Sequence, residues 1–124
     1  YRRLDNIIFY SVNDTNVLDQ ISGLEDINHL KINSGKITSL KGISNIKGVV
    51  YLQLFTLSHL TDVSELAAMD SLQDLWINTC KYISNWDFLL EMKSLKKLSL
   101  FGCGKNRPNE KILSALEESG VKVF

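Results

Sequence analysis

Apolar and polar residues alternate over short stretches that return every 22 or 23 positions along this chain. The clearest copy starts at Leu72. Leu75 and Ile77 point to one side of a strand, while Asp74, Trp76 and Asn78 point to the other. Cys80 closes the unit, and Ile83, Trp86, Leu89 and Met92 form an apolar return path. The Leu75/Ile77 pair recurs as Leu98/Leu100, Leu52/Leu54 and Leu30/Ile32, and 22 residues before that as Ile8/Tyr10. Adding 23 to Leu98 and Leu100 reaches Val121 and Val123, a sixth, truncated strand. The return repeats too, as Leu18, Ile21, Leu24; Leu40, Ile43, Ile46; Val63, Leu66, Met69; and Trp86, Leu89, Met92.

A unit this small cannot bury its own apolar edge, so copies must stack, each strand parallel to the next. The expected fold is an α/β solenoid: a curved parallel sheet of about six strands, with short helices or 3₁₀ turns on the convex side and a C-terminal capping helix. One domain spans 1–124, with repeats at about 5–26, 27–48, 49–71, 72–94 and 95–117 and the truncated strand at 118–124. The one-residue difference between copies falls in the loop after the strand, comparing INSGKI with INTCKYI.

In chain order, Ile7, Ile8, Phe9 and Tyr10 make the first strand apolar on both faces, an edge that residues before Tyr1 or a partner must cover. Residues 13–16 form a turn leading into VLDQISGL, a short helix or 3₁₀ turn. Gly35 and Gly42 serve tight turns. Asp62 caps a helix over VSELAAM, and Asn85 holds the corresponding position one repeat later. Pro108 and Asn109 open the helix EKILSALEES, which buries Ile112, Leu113 and Leu116 and stops at Gly120. Trp86 is inward.

With 124 residues, 44% of them apolar, there is enough chain for a continuous core. No run of about 18 apolar residues is present, so no membrane span is expected. Neither a signal peptide nor an initiator Met is visible at Tyr1, which reads as a processed or trimmed start. The 14 basic residues balance 14 acidic ones, which argues against a nucleic-acid partner held by phosphate neutralisation. Charge is uneven along the chain: residues 59–91 are mainly acidic and 93–111 mainly basic.

Cys80 and Cys103 lie one repeat apart, at about 4.8 Å between rungs, within disulfide range; their closing position, shared with Asn13, Gly35 and Leu57, suits buried reduced thiols. His29 on a strand and His59 in a loop do not converge, and no metal or other cofactor is expected. No G-x-S-x-G, P-loop, dinucleotide turn or H-E-x-x-H occurs, so the chain does not read as an enzyme.

The outward positions form columns: Phe9, Lys31, Gln53, Trp76, Ser99, Lys122; then Ser11, Asn33, Phe55, Asn78, Phe101, Phe124; then Ile7, His29, Tyr51, Asp74, Lys97, Gly120. Asp74 and Lys97 can pair across strands. Nothing in the fold requires aromatics on the solvent side, and Tyr51, Phe55, Trp76 and Phe101 cluster on three successive strands, as interface anchors do. Phe9, His29, Lys31, Gln53, Asp74, Asn78 and Lys97 surround them as further candidate contacts.

Over nearly all of residues 5–124 the chain resembles bacterial leucine-rich repeat proteins with internalin-like repeats of about 22 residues. That resemblance implies protein binding through the concave face, with Tyr51, Phe55, Trp76 and Phe101 at the matching contact positions. The chain departs from internalins in lacking a visible helical N-terminal cap, in keeping only Asn13 of an Asn ladder, and in its 23-residue repeats. With its closing cysteines and terminal helix before Gly120-Val121-Lys122-Val123, it is also similar to intracellular bacterial immunity and adaptor proteins. The expectation is a cytoplasmic protein-binding module; a fragment of a secreted or surface adhesin is the alternative, and the oligomeric state stays open.

Overall fold

Six short strands line up in chain order in one parallel sheet: β1 (Asn6–Tyr10), β2 (His29–Asn33), β3 (Tyr51–Phe55), β4 (Asp74–Asn78), β5 (Lys97–Phe101) and β6 (Lys122–Val123). This is a computed structural model, and it describes residues 6–14, 18, 20 and 27–124. In β2 to β5 the register follows the repeat, with Leu30 beside Leu52, Leu52 beside Leu75 and Leu75 beside Leu98. Leu and Ile alternate onto the inner face: Leu30, Ile32, Leu52, Leu54, Leu75, Ile77, Leu98 and Leu100 are all at most 2% exposed. They pack against the returns through Leu40, Ile43, Leu66, Ile83, Trp86 and Leu89 in one apolar cluster.

The returns take the tighter of the two forms the sequence allows, and the helix expected over VSELAAM is a 3₁₀ turn. Ile43–Asn45, Ser64–Ala68 and Asp87–Glu91 are 3₁₀ turns, not α-helices. A 3₁₀ turn rises further per residue than an α-helix and so crosses back in fewer residues. Asp62 and Asn85 do act at the entries, accepting from the backbone N–H of Ser64 at 3.0 Å and of Asp87 at 3.2 Å. A further 3₁₀ turn, Gly104–Asn106, precedes the C-terminal α-helix Glu110–Glu118, whose N-cap Asn109 accepts from Ile112 N–H at 2.9 Å. That helix buries Ile112, Leu113 and Leu116 and ends before Gly120 at φ 93°. The first return, including Ile21 and Leu24, lies outside the described residues, although Leu18 is buried.

Each long strand ends in the same left-handed residue: Ser11, Ser34, Thr56, Thr79 and Gly102, with φ between 57° and 67°. In the first four, the N–H donates across to the last carbonyl of the next strand, at 3.0 Å for Ser11 and 2.8 Å for Ser34, Thr56 and Thr79. A left-handed residue costs an L side chain about 1–2 kcal/mol, so this turn is held by the stack of repeats around it.

Two expectations about the ends are corrected. In β1, Ile7 pairs with Leu30 and Phe9 with Ile32, so Ile7 and Phe9 pack against the core while Ile8 and Tyr10 face outward. A strand apolar on both faces does not choose its own register. The turn chooses it: Val12, not Asn13, is the buried closing residue, its N–H donating to Ser34 O at 3.1 Å. The match is tight, because a Cβ on Gly35 would collide with the Val12 backbone. Asn13 stays exposed and accepts from Lys36 N–H at 3.2 Å. At the other end, β6 pairs Lys122 with Lys97 and Val123 with Leu98, a step of 25, not 23, because the last return holds a true α-helix. Phe124 therefore lies beside Ser99 instead of Phe101, donating to Leu98 O at 2.8 Å and accepting from Leu100 N–H at 3.1 Å.

Candidate functional site

The outward face of the sheet has three columns set by the observed register. Asn6, His29, Tyr51, Asp74, Lys97 and Lys122 form the first. Ile8, Lys31, Gln53, Trp76 and Ser99 form the second, which Phe124 continues. Tyr10, Asn33, Phe55, Asn78 and Phe101 form the third. Of the sequence candidates, Tyr51, Phe55, Trp76, Phe101, His29, Lys31, Gln53, Asp74, Asn78 and Lys97 are thus together on one surface. Phe9 is not; it turns inward, and Ile8 and Tyr10 take the outward places. Ser11 leaves its column for the left-handed turn. The signal in the sequence was Val12, an apolar residue beside the polar Asn13 and 23 positions before Gly35, which suits the buried closing place and would have put Tyr10 outward.

Tyr51 and Phe101 are 48% and 47% exposed, Tyr10 is 66% exposed, and Phe55 and Trp76 are half-buried by their neighbours. The third column alternates ring and amide: Tyr10, Asn33, Phe55, Asn78, Phe101. Ser99 is buried, 3% exposed, although its column faces outward, since the larger Trp76 and Phe124 flank it. The face is therefore ridged by rings, with a dip at Ser99.

Polar contacts position several of these side chains. His29 Nε2 is 2.8 Å from Gln53 Oε1, and its ring tilts against Tyr51 with centroids 5.9 Å apart. Lys31 Nζ sits 4.5 Å from the centre of the Phe55 ring, and Lys97 Nζ sits 5.6 Å from that of Phe124. Thr79 Oγ1 donates to Asn78 Oδ1 at 2.8 Å, which restrains the amide. The cross-strand pair of Asp74 and Lys97 does not form: Lys97 turns to Phe124, and the buried Asp74 Oδ1 has no hydrogen-bond partner.

Elsewhere the chemistry is quiet. Cys80 and Cys103 are buried free thiols; burial raises the Cys80 pKa to about 11, and raises that of Cys103 despite the opposing effect of Arg107. Both stay protonated and are poor nucleophiles. Shallow clefts of about 290 and 230 Å³ separate neighbouring returns; the second is lined by Asp62, Ser64, Asn85 and Glu91. Hydrogen bonds from the Ser64 hydroxyl and N–H hold the Asp62 carboxyl below its ordinary pKa. Among the described residues no three His, Cys, Asp or Glu side chains group as metal ligands, and no helix is long and apolar enough to cross a membrane. Compared with family models, curated proteins and solved structures, the chain matches none.

Proposed function

We propose that the chain is a leucine-rich repeat solenoid that binds a protein partner through the outward face of its sheet. The observation that carries this is the cluster of Tyr51, Phe55, Trp76 and Phe101 on three consecutive strands, at positions where packing of the core asks for no ring at all. Exposed rings grouped in this way form the apolar centre of protein interfaces, ringed by polar groups that set orientation. His29, Lys31, Gln53, Asp74, Asn78 and Lys97 supply that surround, and Ile8 and Tyr10 extend the patch along the first strand. The role needs no reaction chemistry, and the two buried thiols suit a reducing compartment.

The test is affinity capture from the source organism's lysate, using the wild type and a Tyr51→Ala/Trp76→Ala variant confirmed as folded by circular dichroism. The captured protein is then purified and its affinity for both forms measured. Binding by the wild type and loss in the variant is the expected result. Equal binding by both forms would move the interaction off this face.

A further inference from the structure

Resting on that binding reading, a second property concerns the partner's chemistry. The outward face carries three lysines, Lys31, Lys97 and Lys122, against one carboxylate, Asp74, although the chain as a whole has 14 basic and 14 acidic residues. Across the core the bias varies: the return after β2 carries Lys36, Lys41 and Lys47 and no acid, whereas the two after β3 and β4 are acidic up to residue 91. From residue 62 to 91 they carry Asp62, Glu65, Asp70, Asp87 and Glu91 against Lys81.

Lys97 and Lys122 are register neighbours on β5 and β6. Like charges directly opposite on adjacent strands cost stability. No acidic side chain among the described residues pairs with either lysine, and Lys97 faces away from Asp74 toward the Phe124 ring. At Lys31 and Lys97 an ammonium group rests beside an aromatic ring, so a ligand carboxylate and a ligand apolar group meet the face at the same place.

We infer that the partner presents an acidic, extended segment with apolar side chains between its carboxylates. One carboxylate is held at Lys31 and another between Lys97 and Lys122, while the apolar side chains lie on Tyr51, Phe55, Trp76 and Phe101. Lys31 and Lys97 are three strands and one column apart, roughly 16 Å at strand and residue spacing, which about five residues of extended chain cover at about 3.3 Å each. Such a match speeds association and makes binding salt-sensitive. A nucleic acid fits less well, since its regularly spaced phosphates would also fall over Asp74 between the lysines, where a peptide can place an apolar side chain.

The experiment is selection of a random peptide library on the wild type, followed by fluorescence anisotropy of synthetic versions of the enriched peptides. These are measured on the wild type, on Tyr51→Ala/Trp76→Ala and on Lys31→Glu/Lys97→Glu/Lys122→Glu, with Lys122→Glu alone as the mildest charge change. The expected peptides carry acidic residues about five apart around apolar ones. The triple charge variant weakens them on the order of tenfold, and Lys122→Glu weakens them in the same direction. Enriched peptides without acidic excess that still need Tyr51 and Trp76 would overturn the acidic partner and leave the binding face standing. Peptides that bind the Tyr51→Ala/Trp76→Ala form as well as the wild type, or no enrichment at all, would overturn both. Oligo(dT) bound by the wild type and lost in the lysine variant would assign the lysines to nucleic acid and overturn this inference.

Discussion

Leu75 and Trp76 are adjacent in β4, yet they belong to surfaces under different demands. On the inner face of β2 to β5 every position is Leu or Ile and almost completely buried. On the outer face the same four strands carry His, Lys, Asn, Tyr, Gln, Phe, Asp, Trp and Ser. The repeats agree where the fold needs them to agree. Where they differ, the strand geometry is indifferent to the side chain, and the choice is open to a partner.

The largest expected effect breaks the inner face. Leu75→Ala removes a fully buried side chain from the centre of the sheet and should lower stability by about 2–5 kcal/mol in urea unfolding. Gly35→Ala should be of similar size, about 3 kcal/mol, because it combines φ 123° with a collision against the Val12 backbone. Recovery of stability on also shortening Val12 would not follow, since the clash is with backbone atoms.

The inner face also makes a pH prediction. Burial raises the folded Cys80 pKa to about 11 from an ordinary value of 9.0. Its contribution is fully present below about pH 9, where both states hold the proton, and is lost as pH rises toward 11. Urea midpoints of the wild type should fall over that window more steeply than those of Cys80→Ala. Iodoacetamide should label Cys80 slowly at pH 8 until urea opens the fold.

Smaller effects test where the two faces meet in β1. Ile7→Ala should cost about 1–2 kcal/mol and Ile8→Ala about 0.5 kcal/mol or less, reversing the order that the sequence alone suggests. Trp76→Ala falls between these two, at about 1 kcal/mol or less, because the residue it truncates lies on the outer face.

β2 to β5 were legible in the sequence because Leu and Ile hold every second position and no outward position is aliphatic, so only one register buries the aliphatic set. Their outward residues, ten of the eleven candidates, followed by simple alternation. Phe9 was misplaced for a local reason. Ile7, Ile8, Phe9 and Tyr10 offer apolar side chains to both sides, and the decision passes to the turn, where Val12 must close against Gly35. Phe124 shifted because the α-helix Glu110–Glu118 lengthens the last return, which repeat arithmetic does not count. The failed pairing of Asp74 with Lys97 depended on rotamers, and a nearby ring drew the lysine away.

The most direct measurement is the affinity of the captured partner for Trp76→Ala relative to the wild type, taken beside the urea midpoints of both. Binding weakened at least about tenfold, near 1.4 kcal/mol, with stability changed by about 1 kcal/mol or less, is the predicted result. Unchanged affinity, or unfolding as severe as that of Leu75→Ala, would contradict the division of the sheet into a face for folding and a face for binding.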